Sequence, residues 1–185
     1  MARDMKILGF AASLRKGSYN KALLRAAGEL LPDGVTLETF DLEGIPPFNQ
    51  DLENTLPERV KEFKSRIRAA DAVLIVSPEY NFSMPGVLKN AIDYASRPYG
   101  DSVWPGKPVA VMSASNGMLG GSRMQYHLRQ TFLYLEVTAV TKPEVFVTFS
   151  AQKFDENGKL TDEPTRAIVK QLVQALVDLA RKQKG

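Results

Sequence analysis

Three short segments hold most of the residues that could do chemistry in this chain. The first is Ser13-Leu14-Arg15-Lys16-Gly17-Ser18-Tyr19-Asn20. Its two hydroxyls, one amide and one guanidinium sit where a helical pattern begins. A helix N-terminus adds free backbone N–H groups and partial positive charge, and Arg can fork onto two phosphate oxygens. The segment is neither a Walker loop nor a G-x-G-x-x-G turn, yet it has what a phosphate needs. An ordinary Ser/Asn N-cap beside a solvated Arg and Lys would use the same residues. The second segment, Ser77 to Gly86, is stiffened by Pro78 and Pro85 and carries Glu79, Tyr80, Asn81 and Phe82. Its backbone could read the edge of a flat heterocycle while Tyr80 or Phe82 covers a face. The plainer reading is a loop whose aromatics belong to the core. Glu79 invites a general-base role, but the sequence shows no partner that would perturb it. The third segment, Ser113 to Gly121, contains Ser115, Gly117, Gly120 and Gly121. Its glycines let backbone approach a ligand closely, or simply make a flexible turn before a helix.

The elements that must position these segments alternate along the chain. Ile7 to Ala11 reads as a buried strand. Asn20 to Leu31 is a helix with Leu23, Leu24, Ala27, Leu30 and Leu31 on one face, stopped by Pro32-Asp33-Gly34. Val35 to Phe40 alternates as a strand at or near a sheet edge does. A long loop, Asp41 to Leu56, precedes a helix opened by Pro57, with Val60, Phe63, Ile67 and Ala70 as its stripe. Ala72 to Val76 is the most apolar strand and belongs at the centre. Pro85 starts the next helix, Val109 to Met112 is a strand, and a helix runs from Ser122 to about Leu135. Val137 to Phe149 holds a strand interrupted at Pro143, Asp155 to Gly158 is a turn, and Thr161 to Lys184 is the closing helix. Five strands alternating with five helices predict an α/β doubly wound parallel sheet with helices on both faces. Ligands of such sheets bind beyond the strands' carboxyl ends. The three segments follow strands one, three and four, which is where that rule places a site.

Composition narrows the chemistry. The 185 residues are 44% hydrophobic and 24% charged, which suits one soluble globular domain spanning 1–185. Cysteine is absent and His127 is the one histidine, so thiolate catalysis, disulfides and multi-His or Cys-ligated metal sites are excluded. A net charge of +3 is too small to argue for nucleic acid but suits a small anionic ligand. Met1 to Phe10 does not read as a signal peptide and no apolar run is long enough to span a membrane, so a cytoplasmic protein is expected. The Asn81-Phe82-Ser83 sequon is then not expected to be glycosylated. His127 reads as structural or interfacial, and Trp104 as a loop-packing residue. Asp155-x-Asn157 lacks the Glu of a calcium loop and reads as a plain turn.

Taken in order, Ser-Leu-Arg-Lys-Gly-Ser-Tyr-Asn at 13–20, Pro-Glu-Tyr-Asn at 78–81, Pro-Gly-Val-Leu-Lys-Asn-Ala-Ile-Asp at 85–93 and Gly-Gly-Ser-Arg at 120–123 resemble the NADPH-dependent FMN reductase family, of the chromate/quinone reductase and azoreductase type. The resemblance covers nearly the whole chain. It implies a flavodoxin-like fold with strand order 2-1-3-4-5. It also implies FMN as cofactor, NADPH or NADH as co-substrate, and hydride transfer via the flavin N5 to quinones, free flavin, azo compounds or chromate. By position, Ser13, Leu14, Arg15, Ser18, Tyr19 and Asn20 correspond to the phosphate-binding segment. Pro78, Glu79, Tyr80 and Asn81 correspond to the loop under the ring, and Ser115 and Gly117 to its far edge. No side chain is implied as acid or base. The family usually has Gly where this chain has Ala12. That Ala strains the loop by roughly 1 kcal/mol or more if φ is positive there and is harmless otherwise. A homodimer or homotetramer is implied, with Tyr94, Tyr99, Tyr126, Phe132 and Tyr134 as side chains that could flank the interface. The rival readings are a flavodoxin-like electron carrier, which the +3 charge disfavours, a receiver-like domain, which lacks its acidic residues at Ala11 to Ser13, and a flavin-free homologue.

Overall fold

A computed structural model describes residues 4–184. The first three residues of the Met1–Phe10 stretch and Gly185, which close the 1–185 domain span, lie outside the described residues. Among the described residues, β1 (Met5–Ala11), β2 (Val35–Phe40), β3 (Ala72–Val76), β4 (Pro108–Ala114), β5 (Thr138–Ala139) and β6 (Val145–Val147) form one sheet. Its order is β2-β1-β3-β4-β5, with β6 also on β4, and every pairing is parallel. The helices are α1 (Tyr19–Glu29), α2 (Glu58–Ala69), α3 (Gly86–Ala95), α4 (Ser122–Leu135) and α5 (Glu163–Lys184). This is the flavodoxin-like arrangement. None of these helices is long and apolar enough to cross a membrane.

Side chains alternate across each strand, so one strand feeds two cores. Ile7, Leu74, Val76 and Met112 pack against α1 and α5, through residues such as Leu23, Val173 and Leu176. Leu8, Phe10, Val73, Ile75 and Val111 point the other way, onto Phe63 and Ile67 of α2, Ile92 of α3 and Leu128 of α4. β3 is buried at every position and takes the centre, as its composition predicts. β2 is an edge strand. Trp104 is wholly buried and donates to Ile92 O at 3.3 Å, so it is core rather than loop packing.

The strand expected over Val137–Phe149 is realised as two short pieces. β5 pairs with Pro108–Val109 and β6 with Met112–Ala114, so both occupy one position beside β4. Pro143 lies between them and has no N–H to give a ladder. The long loop after β2 is tied down from α3. Asn90 bonds Pro46 O at 2.8 Å and accepts Phe48 N–H at 2.7 Å, while Tyr94 OH reaches Pro47 O at 3.0 Å.

The parallel register is what positions the site. Ala11 pairs with Val76, and Val76 with Met112, so β1, β3 and β4 finish at one level. Ala12 N–H reaches Val76 O at 2.8 Å and Ser77 N–H reaches Met112 O at 3.1 Å, which carries the ladder one step into the loops. The three segments therefore leave the sheet side by side.

Candidate functional site

The loops after β1, β3 and β4 enclose a cavity of about 170 Å³. Ser13, Arg15, Ser18, Tyr19 and Asn20 line it from the first loop, Pro78, Glu79 and Tyr80 from the second, and Ala114, Ser115 and Asn116 from the third. Of the residues singled out from sequence, Leu14, Asn81 and Gly117 stand outside the lining. Leu14 is 51% exposed. A larger cleft of about 490 Å³ lies between Ser96–Ser102 and Tyr134–Glu136. It is at the opposite, amino end of β4, where Gly106 N–H meets Glu136 O.

The first loop is rich in donors and poor in acceptors. Ser18 caps α1, accepting Asn20 N–H at 3.2 Å, and its own O–H remains able to donate. Ser13 is buried beside it. Arg15 lies 5.9 Å from the Tyr19 ring, and neither Arg15 nor Lys16 is paired with a carboxylate among the described residues. Hydroxyls, an unpaired guanidinium and a helix N-terminus, with no carboxylate in the loop, make a donor set that fits a phosphate. Ala12 is buried and is not among the positive-φ residues, so its methyl strains nothing.

Asn20 does something the sequence does not reveal. Its Nδ2 donates to Ala114 O at 2.9 Å, and its Oδ1 accepts Ala114 N–H at 2.9 Å. The amide thus joins the start of α1 to the end of β4. The third loop is braced likewise. Ser115 Oγ accepts Gly117 N–H at 3.1 Å, Asn116 accepts Ala151 N–H at 2.9 Å, and Ser150 donates to Ser115 O at 2.9 Å. Gly121 caps α4 at φ 89, and a Cβ there would lie 2.7 Å from Ser113 Cβ. Only glycine meets both demands.

In the second loop, Tyr80 and Ser83 exchange backbone hydrogen bonds at 3.0 and 2.9 Å. The two residues between them, Asn81 at φ 49 and Phe82 at φ 65, are both left-handed. Asn tolerates that region, whereas a bulky residue there costs about 1–3 kcal/mol. Tyr80 and Phe82 are 53% and 63% exposed, so neither belongs to the core. Glu79 has partners that local sequence could not show. Arg123 Nε donates to one oxygen at 2.8 Å and Met124 N–H to the other at 3.2 Å. A carboxylate held at both oxygens is a brace between the loop and α4 and has no lone proton-accepting role to play.

Comparison with known proteins agrees with this layout. The family model described as NADPH-dependent FMN reductase matches residues 5–152. An NAD(P)H-dependent FMN reductase of Pseudomonas aeruginosa is 47% identical over 186 residues, covering 100% of both chains. An NAD(P)H:quinone oxidoreductase of Solanum tuberosum is 46% identical over 188 residues, covering 98% of this chain and 95% of its own. Among solved structures, a flavoenzyme NAD(P)H:(acceptor) oxidoreductase from Paracoccus denitrificans superposes with a TM-score of 0.89 at 36% identity, over 96% of this chain and 98% of its own.

Proposed function

Because the chain belongs to the NADPH-dependent FMN reductase family and is an FMN-dependent NAD(P)H oxidoreductase, we propose that quinones are its electron acceptors. The observation that carries this reading is the character of the site. A donor-rich cradle is lined by the exposed ring of Tyr80, with exposed Phe82 two residues further along the same turn, and the cavity lining holds no acid–base pair. Quinone reduction needs no side-chain acid. One NAD(P)H, one proton from solvent and one quinone give NAD(P)⁺ and one hydroquinone. A relative named for the same reaction supports the choice.

Bound FMN supplies the two-electron redox chemistry that links the two substrates. The chain's own residues hold and orient it. Ser13, Arg15, Ser18 and the first N–H groups of α1 grip its phosphate. Asn20 works one step back, fixing Ala114 and hence the third loop against α1. Pro78 to Tyr80 line the cavity as a floor that would carry the ring, Asn81 turns the loop behind them, and Glu79 locks its shape onto α4. Ser115, which lines the cavity, accepts the Gly117 N–H and so braces the third loop where it would border the far edge of the ring. A homodimer or homotetramer working in the cytoplasm, where NAD(P)H is at hand, completes the reading.

Anaerobic stopped-flow tests it. NADPH should bleach the flavin absorbance of the holoenzyme, and 1,4-benzoquinone should restore it at one quinone per NADPH. Restoration by ferricyanide but not by benzoquinone would sink the quinone assignment.

A further inference from the structure

The 80–83 turn holds a ring where fold stability alone would not put one. Phe82 combines a left-handed backbone, φ 65, with a phenyl ring that is 63% exposed. Strained backbone costs free energy, and so does apolar surface left in water. Such a conformation persists only where its surroundings impose it, and here α4 does so. Arg123 lays its guanidinium 3.5 Å from the centroid of the Phe82 ring. The same guanidinium is anchored through Nε on Glu79 at 2.8 Å. One helical turn further, His127 Nδ1 meets Ser83 Oγ at 3.1 Å. The helix thus grips the turn on both sides of Phe82. Tyr80, two residues back in the same turn, lines the cavity. Phe82 is not itself part of that lining; it follows Tyr80 by two residues, with Arg123 backing one face of its exposed ring.

We propose that Phe82 is the acceptor-selecting residue, a stacking surface for planar ring acceptors, and that Arg123 is the positioning residue that fixes it. The inference rests on the quinone reading above and adds the residues that would impose it. An aromatic pair contributes roughly a tenfold preference beyond simple burial. An acceptor with no ring gains nothing from the stack.

The test uses holoenzyme already reduced by NADPH, and two acceptors, 1,4-benzoquinone and ferricyanide. Phe82→Leu removes the ring from an exposed position and leaves the Arg123–Glu79 pair intact. Arg123→Lys keeps a cation for Glu79 but loses the flat guanidinium. Both variants should lower the ratio of quinone to ferricyanide reoxidation rates about tenfold, through a raised KM for the quinone rather than a lowered kcat. Equal slowing with both acceptors would mean a merely structural role and overturn the proposal, as would an unchanged ratio in Phe82→Leu. A fall in the ratio for Phe82→Leu with none for Arg123→Lys would overturn the role of Arg123. If the wild-type holoenzyme is not reoxidised by benzoquinone at all, it is the quinone reading that fails, before any variant is made.

Discussion

Arg15 and Lys16 are neighbours in one loop, and both raise the local positive potential. Only Arg15 lines the cavity. Losing a charged donor to a phosphate costs about 1.5–3 kcal/mol, or roughly tenfold to a hundredfold in affinity. Losing a solvated Lys costs a few tenths to about 1 kcal/mol, and salt erodes that loss. Arg15→Ala should therefore weaken FMN binding far more than Lys16→Ala, with the gap surviving high salt. Fluorescence titration of FMN into the two apo variants at low and high salt reads this directly, and equal losses would leave only diffuse charge. The neighbouring Ala12 shows how one torsion settles a residue-scale question. With no positive φ required there, its methyl is simply core.

At the scale of elements, α2 is fastened to the loop after α3 by a buried ammonium. Lys64 is 1% exposed, and its Nζ bonds Asp101 at 2.6 Å and also the Arg97 carbonyl. Arg68 meets the other Asp101 oxygen at 2.5 Å. The Lys64 hydrogen bond holds the Asp101 carboxyl below the usual carboxylate range, against partial desolvation and with help from Arg68. A depressed folded-state pKa stabilises the fold above the unfolded value near pH 4, and the contribution disappears as pH falls through the lower folded value. Asp101 is half-exposed, so screening limits the effect to about 1 kcal/mol. Urea denaturation should show Asp101→Asn less stable than wild type by about that much at pH 6. The difference should close at pH 2–3. A gap independent of pH would mean that shape rather than charge holds the loop.

The whole molecule presents an apolar side along α4 that a lone chain would leave wet. Leu133 and Tyr134 are 83% and 77% exposed, with Tyr126 at 52% and Tyr99 at 78%. Tyr94 and Phe132, named with them from sequence, are instead core residues at 0% and 3%. Exposed apolar surface of this kind marks interaction sites, and self-association is its simplest occupant. Light scattering at micromolar concentration should give a dimer or tetramer, and Leu133→Glu should shift it toward monomer. A monomeric wild type would count against the assembly.

What the sequence by itself determined is what short range determines. Periodicity of 2 and 3.6 set the elements and their inward faces, because burial acts on each strand and helix through its own geometry. Proline and glycine marked the boundaries, and Ser18 marked the start of α1 by the same local bond that caps it. The strands' carboxyl ends then followed from the parallel alternation of the fold. Tertiary structure decided everything that depends on partners distant in the chain. Asn20 meets Ala114 across 94 residues, and Glu79 meets Arg123 across 44. No local pattern encodes those meetings. They make Asn20, which lines the cavity, a brace between α1 and β4 as well, and they clamp Glu79 onto α4. Side-chain exposure was settled the same way. Phe82 and Phe132 are the same residue type in the sequence, but α4 buries one beneath itself and holds the other out into water. A polar or aromatic side chain takes its role from whichever donor, acceptor or cation lies within about 3–6 Å of it. Only the packing of distant segments fixes which one that is.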